Sequence, residues 1–571
     1  MSPHLSIKIG GEAGQGIQSV SRLLADMLQD VGLHVFAYQN KESRIRGGHN
    51  FVHMAAAVEP AFSARRDLDI LICLDAASVS LHSDEVRENG LVLFDPDLVP
   101  EGPEGSKYFK LKFAAIAKEK AGSKVMANTV AIGAALAYAG MDFEILSAQL
   151  GRFFGSKGED VVKGNIAAAR AGYELAAEYL SHRAKFSFPE KKQETVMLSG
   201  AHAIAFGAIA SGCSFLSAYP MSPATGIMEY FFAHREDLGL VAVQAEDEIA
   251  AINMAIGASY AGVRAMTSTS GGGFSLMVEG LGLAAITETP LVIVEAQRPG
   301  PATGLPTRTE QADLLFAIHA SQGEFPRAVL TPGTAGQAFA AMSRAFNLAE
   351  KYQVPVIVLV DQYITDSIWT QEPFNLDDVT IDRGSLYAGS GDAAEYKRYA
   401  LAADGISPRA FPGNPNALVY ADSDEHDESG RITESAEVRI SQVGKRERKF
   451  EGLVSEAAQP VLYGPEDYEE LVVCWGSVLG AALPALDIYR AGGAKAALLH
   501  IEQAWPLTGS AVADAMKKAG RTSCVELNSI GQMARLIRAQ TGLEFDRVIL
   551  KYDGRPFLPE ELAEELGKEA H

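Results

Sequence analysis

The sequence has 571 residues, of which 47% are hydrophobic and 54 are glycine, and its formal net charge at pH 7 is −22. This length corresponds to about three to four domains, and the composition is typical of α/β domains with buried sheets. The negative charge argues against nucleic acid or an anionic membrane as the main partner. The sequence contains neither an apolar run of about 18 residues nor an N-terminal basic segment followed by an apolar one. We therefore expect a cytoplasmic protein without a membrane span.

The four cysteines are widely separated, and none belongs to a Cys-x-x-Cys pair. Two of them lie in apolar runs that are typical of strands, so we expect buried free thiols. The local sequence offers no set of four cysteines that could hold an iron–sulfur cluster. The residues are Cys73, Cys213, Cys474 and Cys524.

Residues 1–183 are predicted to form a first α/β domain. A strand over Leu5–Ile9 precedes a glycine-rich turn and a helical pattern over residues 17–31. Free N–H groups at the start of a helix bind anions, so this corner is a candidate phosphate site, although such turns also occur without a ligand. The spacing differs from the dinucleotide-binding fingerprint. The turn glycines are Gly11, Gly14 and Gly16.

A second candidate anion site follows in the same domain. Arg44 and Arg46 precede a Gly-Gly pair. Arginine beside an open backbone is suited to phosphate or carboxylate recognition. A solvated basic loop is the alternative interpretation.

The rest of the chain divides into four predicted regions. Residues 184–196 are polar and form a linker. Residues 197–380 contain short apolar runs typical of buried parallel strands and form a second α/β domain. Residues 381–464 are charged with weak periodicity, and this stretch is too long for an ordinary loop, so we expect it to wrap a neighbouring surface. Residues 465–571 form a third α/β domain.

Polar motifs in the second domain follow predicted strands. The motif Tyr219–Pro223 follows the run Phe215–Ala218, and its two prolines present the hydroxyl of Ser222 at a strand end. Ser270 and Gly271 belong to a run of hydroxyl residues and glycines before a helix. A later strand enters a proline-rich loop that carries two arginines, Arg298 and Arg308. Together these motifs predict a polar pocket at one edge of the sheet.

Glu248 begins an apolar helical segment that contains Gly257. Small residues allow another backbone to pack closely, and a carboxylate that enters such a core is costly without a partner. The acid is therefore either a structural glutamate that caps a helix or forms an ion pair, or a group reserved for chemistry. Glu246 is the second choice for the same role.

These motifs together resemble the α subunit of a 2-oxoacid:ferredoxin oxidoreductase with a γ-type domain fused at its N-terminus. The resemblance extends over nearly the whole chain and implies a thiamine-diphosphate pyrimidine-binding second domain and a transketolase-C-terminal-like third domain. Segments 396–399, 404–409 and 425–428 are most similar to the 2-oxoglutarate branch. Ser222 stands where the family often has threonine, which keeps the hydroxyl.

The resemblance also implies roles for individual residues. Glu248 would be the catalytic acid that activates the cofactor, with Tyr219, Pro220, Ser270 and Gly271 as further cofactor contacts. Ser222 and Arg298 would bind the C1 carboxylate of the substrate, and Arg308 a distal carboxylate, or the two arginines would exchange roles. Phosphates of coenzyme A would bind at the glycine corner of Gly11, Gly14 and Gly16 and at Arg46.

A diphosphate and Mg²⁺ site of the Gly-Asp-Gly type, with asparagines some 25 to 30 residues later, is missing from the sequence. We therefore expect a β subunit to supply the diphosphate site, Mg²⁺ and a [4Fe-4S] cluster, and we expect no metal site in this chain. The resemblance implies an (αβ)₂ assembly that converts 2-oxoglutarate, coenzyme A and oxidised ferredoxin to succinyl-CoA, CO₂ and reduced ferredoxin. Such a reversible reaction would belong to central carbon metabolism or a reductive tricarboxylic acid cycle.

Two alternatives stay open at this point. The same chemistry on pyruvate, a branched 2-oxoacid or an aryl pyruvate would use the same pocket. A non-catalytic scaffold subunit would use the first domain for a nucleotide, but it would not need a buried acid.

Two further features have simpler explanations. We expect His202 to be a buried structural histidine. The acidic segment 422–428 is expected to be a solvated or partner-facing loop because its carboxylates lack the spacing of a metal site.

Overall fold

The computed structural model describes residues 4–42, 48–179, 186, 188–189 and 194–568. The chain forms two compact units. The first contains the chain up to Leu198 together with Ser367–Pro373 and Leu558–Glu561, and the second contains the remainder. Three α/β sheets account for both units, in agreement with the predicted fold class. The predicted domain boundaries stay predictions.

The first unit is built on an eight-stranded mixed sheet. Its strands are β1 (His4–Glu12), β2 (His34–Asn40), β3 (His49–Ala57), β4 (Leu68–Cys73), β5 (Val86–Phe94), β6 (Tyr108–Lys110), β7 (Val196–Ser199) and β14 (Ile368–Gln371). Its helices are α1 (Ile17–Asp30), α2 (Ala76–His82), α3 (Phe113–Ala121), α4 (Ala127–Ala139), α5 (Phe143–Phe154) and α6 (Glu159–Tyr179). The strand order is β6-β5-β4-β1-β3-β2-β14-β7. All six residues of β4 are buried, which is typical of a strand covered on both faces.

The second unit contains a seven-stranded sheet that carries the motifs predicted to form a polar pocket. Its strands are β8 (Phe215–Ala218), β9 (Val241–Gln244), β10 (Ala265–Thr269), β11 (Leu291–Gln297), β12 (Ala328–Leu330), β13 (Pro355–Asp361) and β18 (Gln503–Trp505), in the order β18-β12-β13-β11-β10-β8-β9. Only β18 pairs antiparallel. Its helices are α7 (Gly200–Ala210), α8 (Thr225–Leu238), α9 (Glu248–Tyr260), α10 (Gly271–Ile286), α11 (Leu314–His319), α12 (Ala335–Tyr352) and α13 (Gln362–Asp366).

The parallel strands of this sheet bring three predicted motifs to one edge. Tyr219 directly follows β8, Ser270 follows β10 and Arg298 follows β11, and these three strands are neighbours. Because parallel strands end at the same side, the segments after them lie together there.

A five-stranded sheet completes the second unit. Its strands are β15 (Val461–Tyr463), β16 (Glu470–Trp475), β17 (Ala496–Ile501), β19 (Arg521–Glu526) and β20 (Arg547–Leu550), in the order β15-β17-β16-β19-β20. The accompanying helices are α15 (Val478–Ala491), α16 (Gly509–Lys518), α17 (Gln532–Thr541) and α18 (Pro559–Gly567). Its buried apolar residues pack against those of the seven-stranded sheet, so the two sheets share one apolar cluster.

Residues 381–464, the segment predicted to wrap a surface, pack against the elements around the seven-stranded sheet through buried ion pairs. Glu288 lies between Lys445 and Lys449, which belong to a helix in this segment, α14 (Ala436–Ser455). Glu350 pairs in the same way with Arg264 and with arginines of the segment. The wrapping prediction is therefore correct within this unit.

The acidic segment is more internal than predicted. Glu425 bonds both Arg439 and Arg446, and these arginines hold the pKa of its carboxyl down, at about 2, against the opposing effect of burial. His426 is fully buried beside the ring of Tyr399. The expectation of a solvated loop was wrong for these residues, because arginines of α14 neutralise the carboxylate.

Two local predictions were wrong. His202 is exposed on the first turn of α7, where its ring lies beside Tyr230, because the small residues around it make the buried face of that helix. Gly257 is also exposed, and a side chain added there would meet nothing within 4 Å in the described structure. The close backbone packing expected at Gly257 therefore does not occur within the described chain.

The cysteine prediction was correct. All four cysteines are buried and free, and burial raises the pKa of every thiol, that of Cys213 to about 12. None of the described helices has the length and apolar character needed to cross a membrane.

Candidate functional site

Glu248 is the first residue of α9 and lies at the polar end of a buried apolar helix. Asp247 precedes it as the N-cap and accepts a hydrogen bond from the Ala250 N–H, so Glu248 is not needed for capping. Its side chain is 4% exposed, and its Oε1 has no hydrogen-bond partner among the residues that the structure describes. Glu246, the second choice, is exposed. Of the two acids, Glu248 alone has the buried, incompletely paired carboxyl that chemistry requires.

The first turn of α10 lies directly against Glu248. A side chain at Gly273 would overlap Thr269 Oγ1 and would come within 2.7 Å of Glu248 Oε1. Ser270 is the N-cap of α10, but it makes no side-chain capping bond, and its fully buried Oγ has no partner within the described part of the chain. Two unsatisfied polar atoms therefore lie at the edge of this sheet, at the start of α9 and of α10.

The Tyr219–Pro223 motif lies on the other side of β10 from β11. Thr269 Oγ1 is 4.0 Å from Met221 Sδ, which connects the motif to the first turn of α10. The Ser222–Pro223 peptide is cis, and Arg298 Nη1 donates a hydrogen bond of 2.7 Å to the Ser222 carbonyl. The structure thus brings the predicted substrate residues Ser222 and Arg298 together. Ser222 and Tyr219 are exposed, whereas Pro220 is half-buried.

Arg298 retains capacity to bind an anion. A guanidinium has five donors, and its bond to the Ser222 carbonyl uses one. Partial burial lowers its pKa from the ordinary value, but an arginine stays cationic in proteins. A half-buried cation beside an exposed hydroxyl is suited to a substrate carboxylate.

Arg308 lies further along the same loop, against the five-stranded sheet's part of the unit. A side chain at Gly554 would come 3.1 Å from Arg308 Cβ, and the neighbouring Thr309 N–H donates to the Gly554 carbonyl. The loop at Arg308 and Thr309 therefore packs closely against Gly554. Its predicted role at a distal carboxylate stays a prediction.

The donor set fits the aminopyrimidine of thiamine diphosphate. Such a ring needs a carboxyl at a ring nitrogen and polar groups at its edge, and Glu248 Oε1 and Ser270 Oγ are buried polar atoms without a described partner. An unsatisfied buried group is costly, so a pair of them at one site is typical of a place that a ligand completes.

Three residues of the site were missed by the sequence reasoning. Thr269 ends β10 and touches the Gly273 turn, and the buried carboxyl of Glu295 pairs with the half-buried Asp313, which lies next to Gly271. The available signal was Glu295 itself, because a carboxylate in the middle of an apolar strand is rare without a reason.

The glycine corner of the first unit has mixed roles. A side chain at Gly11 would meet Gln15 Oε1 at 2.6 Å and Leu74 Cβ at 3.0 Å, so the turn is closely packed at this glycine. Gly14 and Gly16 have positive φ angles of 94° and 79°, which other residues rarely adopt. Gly16 begins α1 without a side-chain cap, as an anion corner requires. Arg46 lies outside the described residues.

Two protein-family models match separate parts of the chain. Residues 206–445 match the family described as pyruvate flavodoxin/ferredoxin oxidoreductase, thiamine diphosphate-binding. Residues 6–175 match the family described as pyruvate ferredoxin/flavodoxin oxidoreductase. The first match contains Ser222, Glu248, Ser270 and both arginines of the loop.

Curated relatives are similar over different lengths. The 2-oxoacid:ferredoxin oxidoreductase subunit alpha of a Sulfolobus species is 34% identical and covers 99% of this chain and 96% of its own length. The 2-oxoglutarate synthase subunit KorA of Methanothermobacter thermautotrophicus is 33% identical and covers 65% of this chain and 97% of its own length.

One solved structure is similar over the whole chain. The 2-oxoglutarate:ferredoxin oxidoreductase of Magnetococcus marinus, with 2-oxoglutarate, coenzyme A and succinyl-CoA bound, is 32% identical. It superposes with a TM-score of 0.92 over 99% of both chains.

Proposed function

Since the chain belongs to the 2-oxoacid:ferredoxin oxidoreductases, as their α subunit, we propose that it acts on 2-oxoglutarate and supplies the pyrimidine side of the thiamine diphosphate site. The observation that carries the cofactor role is the buried Glu248 carboxyl, which has an unused oxygen beside the first turn of α10. The similar Magnetococcus marinus enzyme, which has 2-oxoglutarate bound, supports the substrate. The proposed reaction converts 2-oxoglutarate and coenzyme A to succinyl-CoA and CO₂ while it reduces two ferredoxins.

The residues of this chain would bind, orient and shield the reactants. Thiamine diphosphate, when bound, supplies the carbanion chemistry that decarboxylation of a 2-oxoacid requires. Glu248 would hold a proton at the ring nitrogen, and its burial would strengthen that hydrogen bond. Tyr219, Pro220, Ser270 and Gly271 would form the rim of the same pocket. Ser222 and Arg298 would orient the C1 carboxylate.

The remaining parts of the reaction would belong to a β subunit. That subunit would hold the diphosphate, Mg²⁺ and a [4Fe-4S] cluster, in an (αβ)₂ assembly that reduces ferredoxin. The cysteines of this chain support the assignment, because buried thiols with raised pKa values are poor sources of the thiolates that a cluster needs.

Coenzyme A is assigned to the glycine corner of the first unit. Gly14, Gly16 and the uncapped start of α1 support this proposal, whereas Gly11 would act indirectly by shaping the turn. Arg46 would contribute a cation. The localisation that we propose for the assembly is cytoplasmic.

A panel of substrates tests the substrate proposal. We would purify the chain anaerobically with its co-purifying subunits and measure coenzyme A-dependent reduction of a low-potential dye. Turnover confined to 2-oxoglutarate is the expected result. Turnover with pyruvate, branched or aryl 2-oxoacids would overturn the substrate and keep the chemistry, and a cofactor-loaded complex without any turnover would favour a scaffold subunit.

Variants of the two arginines test which of them binds each carboxylate of 2-oxoglutarate. Arg308→Met should raise KM for 2-oxoglutarate by about 10- to 100-fold, because a charge-assisted bond of about 1.5–3 kcal/mol is lost. Arg298→Met should impair every 2-oxoacid. Arg555→Met is the control, since this arginine is exposed in the same unit. An unchanged KM in Arg308→Met would remove that residue from the substrate site.

A further inference from the structure

Glu295 is a lone carboxyl group inside the core of the second unit. It lies on β11, where all seven residues are buried, and it is itself fully buried. Strand alternation places it on the same face as Ile293, which packs in the apolar cluster with Ile252 and Phe274. Neither Glu295 oxygen has a donor among the described residues. A carboxylate in this place would be unsatisfied, whereas a protonated carboxyl group can itself donate.

Asp313 is the partner that can accept this proton. Burial raises the pKa of Glu295 well above its ordinary value, and the charge of Asp313 and a hydrogen bond to it act in the same direction. Burial also raises the pKa of Asp313, while the bond to Glu295 opposes that shift. The two carboxyls therefore favour a state in which one proton lies between them.

The start of α10 identifies Asp313 as the charged member of the pair. A side chain at Gly271 would overlap Asp313 Oδ2 and would lie 3.0 Å from its Cγ, so only glycine leaves room for the carboxylate. The N-terminus of the 16-residue helix α10 carries a partial positive charge, which favours an anion there. The Asp313 N–H is fixed by a 2.9 Å bond to Gln297 Oε1.

The same helical turn forms the cofactor pocket. Ser270, whose buried hydroxyl lacks a described partner, directly precedes Gly271, and Gly273 lies against Glu248. Asp313 and Glu248 thus contact the same turn at residues two positions apart. Movement of Asp313 would shift the turn on which Ser270 and Gly273 depend.

We propose that Glu295 and Asp313 share one proton and act as a positioning pair, which holds the Ser270–Gly271 turn in place for thiamine diphosphate. The proposal rests on the proposed function of the Glu248 site and extends it by two residues. The pair touches neither substrate nor cofactor and acts through α10.

The charged groups around Glu295 and Asp313 make the position of the Ser270–Gly271 turn sensitive to pH. The carboxyls on the elements packed around the pair include Glu310 on the same loop, Glu248 on α9 and Asp361 at the end of β13. The same elements also carry cationic or titratable nitrogen groups, which are Arg298 and Arg308 on the loop, His319 on α11, and Arg344 and Lys351 on α12. Burial and the charge of Asp313 raise the pKa of Glu310 to about 7, and burial raises that of Asp361 to about 6. As pH rises, negative charge accumulates, the shared proton is lost, and repulsion between two carboxylates moves Asp313 from Gly271.

Infrared spectroscopy of the purified chain tests the shared proton directly. The wild-type chain at neutral pH should show the carbonyl stretch of a protonated buried carboxylic acid, with a shift in D₂O. Glu295→Gln, a nearly isosteric change, should remove the Glu295 contribution to that band, whereas Glu310, whose pKa of about 7 leaves it partly protonated, keeps its own contribution. A band of equal intensity in both proteins, or its absence from both, would overturn the shared proton.

Cofactor affinity tests the positioning role in the complex with its co-purifying subunits. Between an acidic and an alkaline pH, the affinity of the wild type for thiamine diphosphate should fall by about tenfold or more, because the pair loses its proton as the pH rises. Glu295→Gln should bind with wild-type affinity at low pH and lose less at high pH, because its amide donates to Asp313 at every pH. Parallel pH profiles for the two proteins would overturn the role.

A third variant and the infrared band separate the possible failures. Glu295→Leu, which cannot donate, should bind the cofactor weakly at both pH values if the bond positions the turn, and equal affinity would contradict the proposal. If no protein binds thiamine diphosphate at any pH, the proposed function fails and the positioning role fails with it. The infrared band then still decides whether the pair shares a proton.

Discussion

Glu246 and Glu248 lie two residues apart, but the fold gives them opposite surroundings. Glu246 is exposed after β9, whereas Glu248 is buried at the first position of α9. The capping bond of Asp247 leaves the Glu248 carboxyl free for another partner. The sequence predicts the buried acid from the apolar helix that follows, but the structure adds the glycine turn against which that acid rests.

Two glycines of adjacent helices form a matched pair for testing this turn. Gly273→Ala should destabilise the protein by about 1–3 kcal/mol through overpacking and should displace Glu248, so turnover falls. Gly257→Ala, which meets nothing within 4 Å in the described chain, should instead stabilise the isolated chain by about 0.5–1 kcal/mol. Denaturant unfolding and dye reduction measure both effects. Equal stabilities for the two variants would contradict the proposed packing of α10 against Glu248.

At the scale of elements, α14 shows why one helix could not be predicted from hydrophobic periodicity. Its buried face is mostly polar, and Lys445 and Lys449 on that face are fully buried against Glu288. Hydrophobic periodicity alone predicts that such charged residues face the solvent. The ion pairs are long-range contacts, so only the folded chain reveals which charges α14 meets.

Removing the central carboxylate should loosen this helix. Glu288→Gln is expected to destabilise the second unit by about 3–5 kcal/mol, because two buried lysines and the neighbouring Arg398 lose their counter-charge. Glu451→Gln is the control, since Glu451 is exposed on the same helix. Thermal and denaturant unfolding compare the variants. A loss no larger than that of the control would show that the pair does not hold α14.

The ion pairs of Glu288 with Lys445 and Lys449 predict that the free energy of unfolding changes with pH in the alkaline range. Burial lowers the pKa of Lys449 from its ordinary 10.5 to about 7, and the Glu288 charge opposes this effect. Between these two pH values the unfolded chain binds the proton and the folded chain does not, so stability rises with pH by at most about 1.4 kcal/mol per unit. The Lys449→Met variant lacks this contribution to stability, whereas its Glu288 still forms the ion pair with Lys445.

Denaturant unfolding from about pH 7 to about pH 10 checks this sign. The stability of the wild type relative to Lys449→Met should increase across that interval. A difference that stays constant or decreases would contradict neutral Lys449 in the folded state.

At the scale of the whole molecule, the strands were the most predictable part. The run Phe215–Ala218 is a strand with the predicted bounds, because buried parallel strands are short and continuously apolar. The order of β8, β10 and β11 in the sheet then places Tyr219, Ser270 and Arg298 at one edge. The closeness of these three motifs was therefore predictable from the sequence.

The details of the site were less predictable because they depend on contacts between distant segments. Asp313 meets Gly271 through the loop that follows β11, and the bond from Arg298 to the Ser222 carbonyl joins the segments that follow β11 and β8. The prediction that His202 is buried was wrong, because α7 turns that position to solvent.

The central claim is that Glu248 activates thiamine diphosphate for oxidation of 2-oxoglutarate. The most direct measurement compares coenzyme A-dependent dye reduction by complexes that contain the wild-type chain, Glu248→Gln or Glu246→Gln. We predict a loss of at least about 100-fold in kcat for Glu248→Gln, with the assembly intact, and nearly wild-type turnover for Glu246→Gln. Wild-type turnover in an intact Glu248→Gln complex would contradict the account.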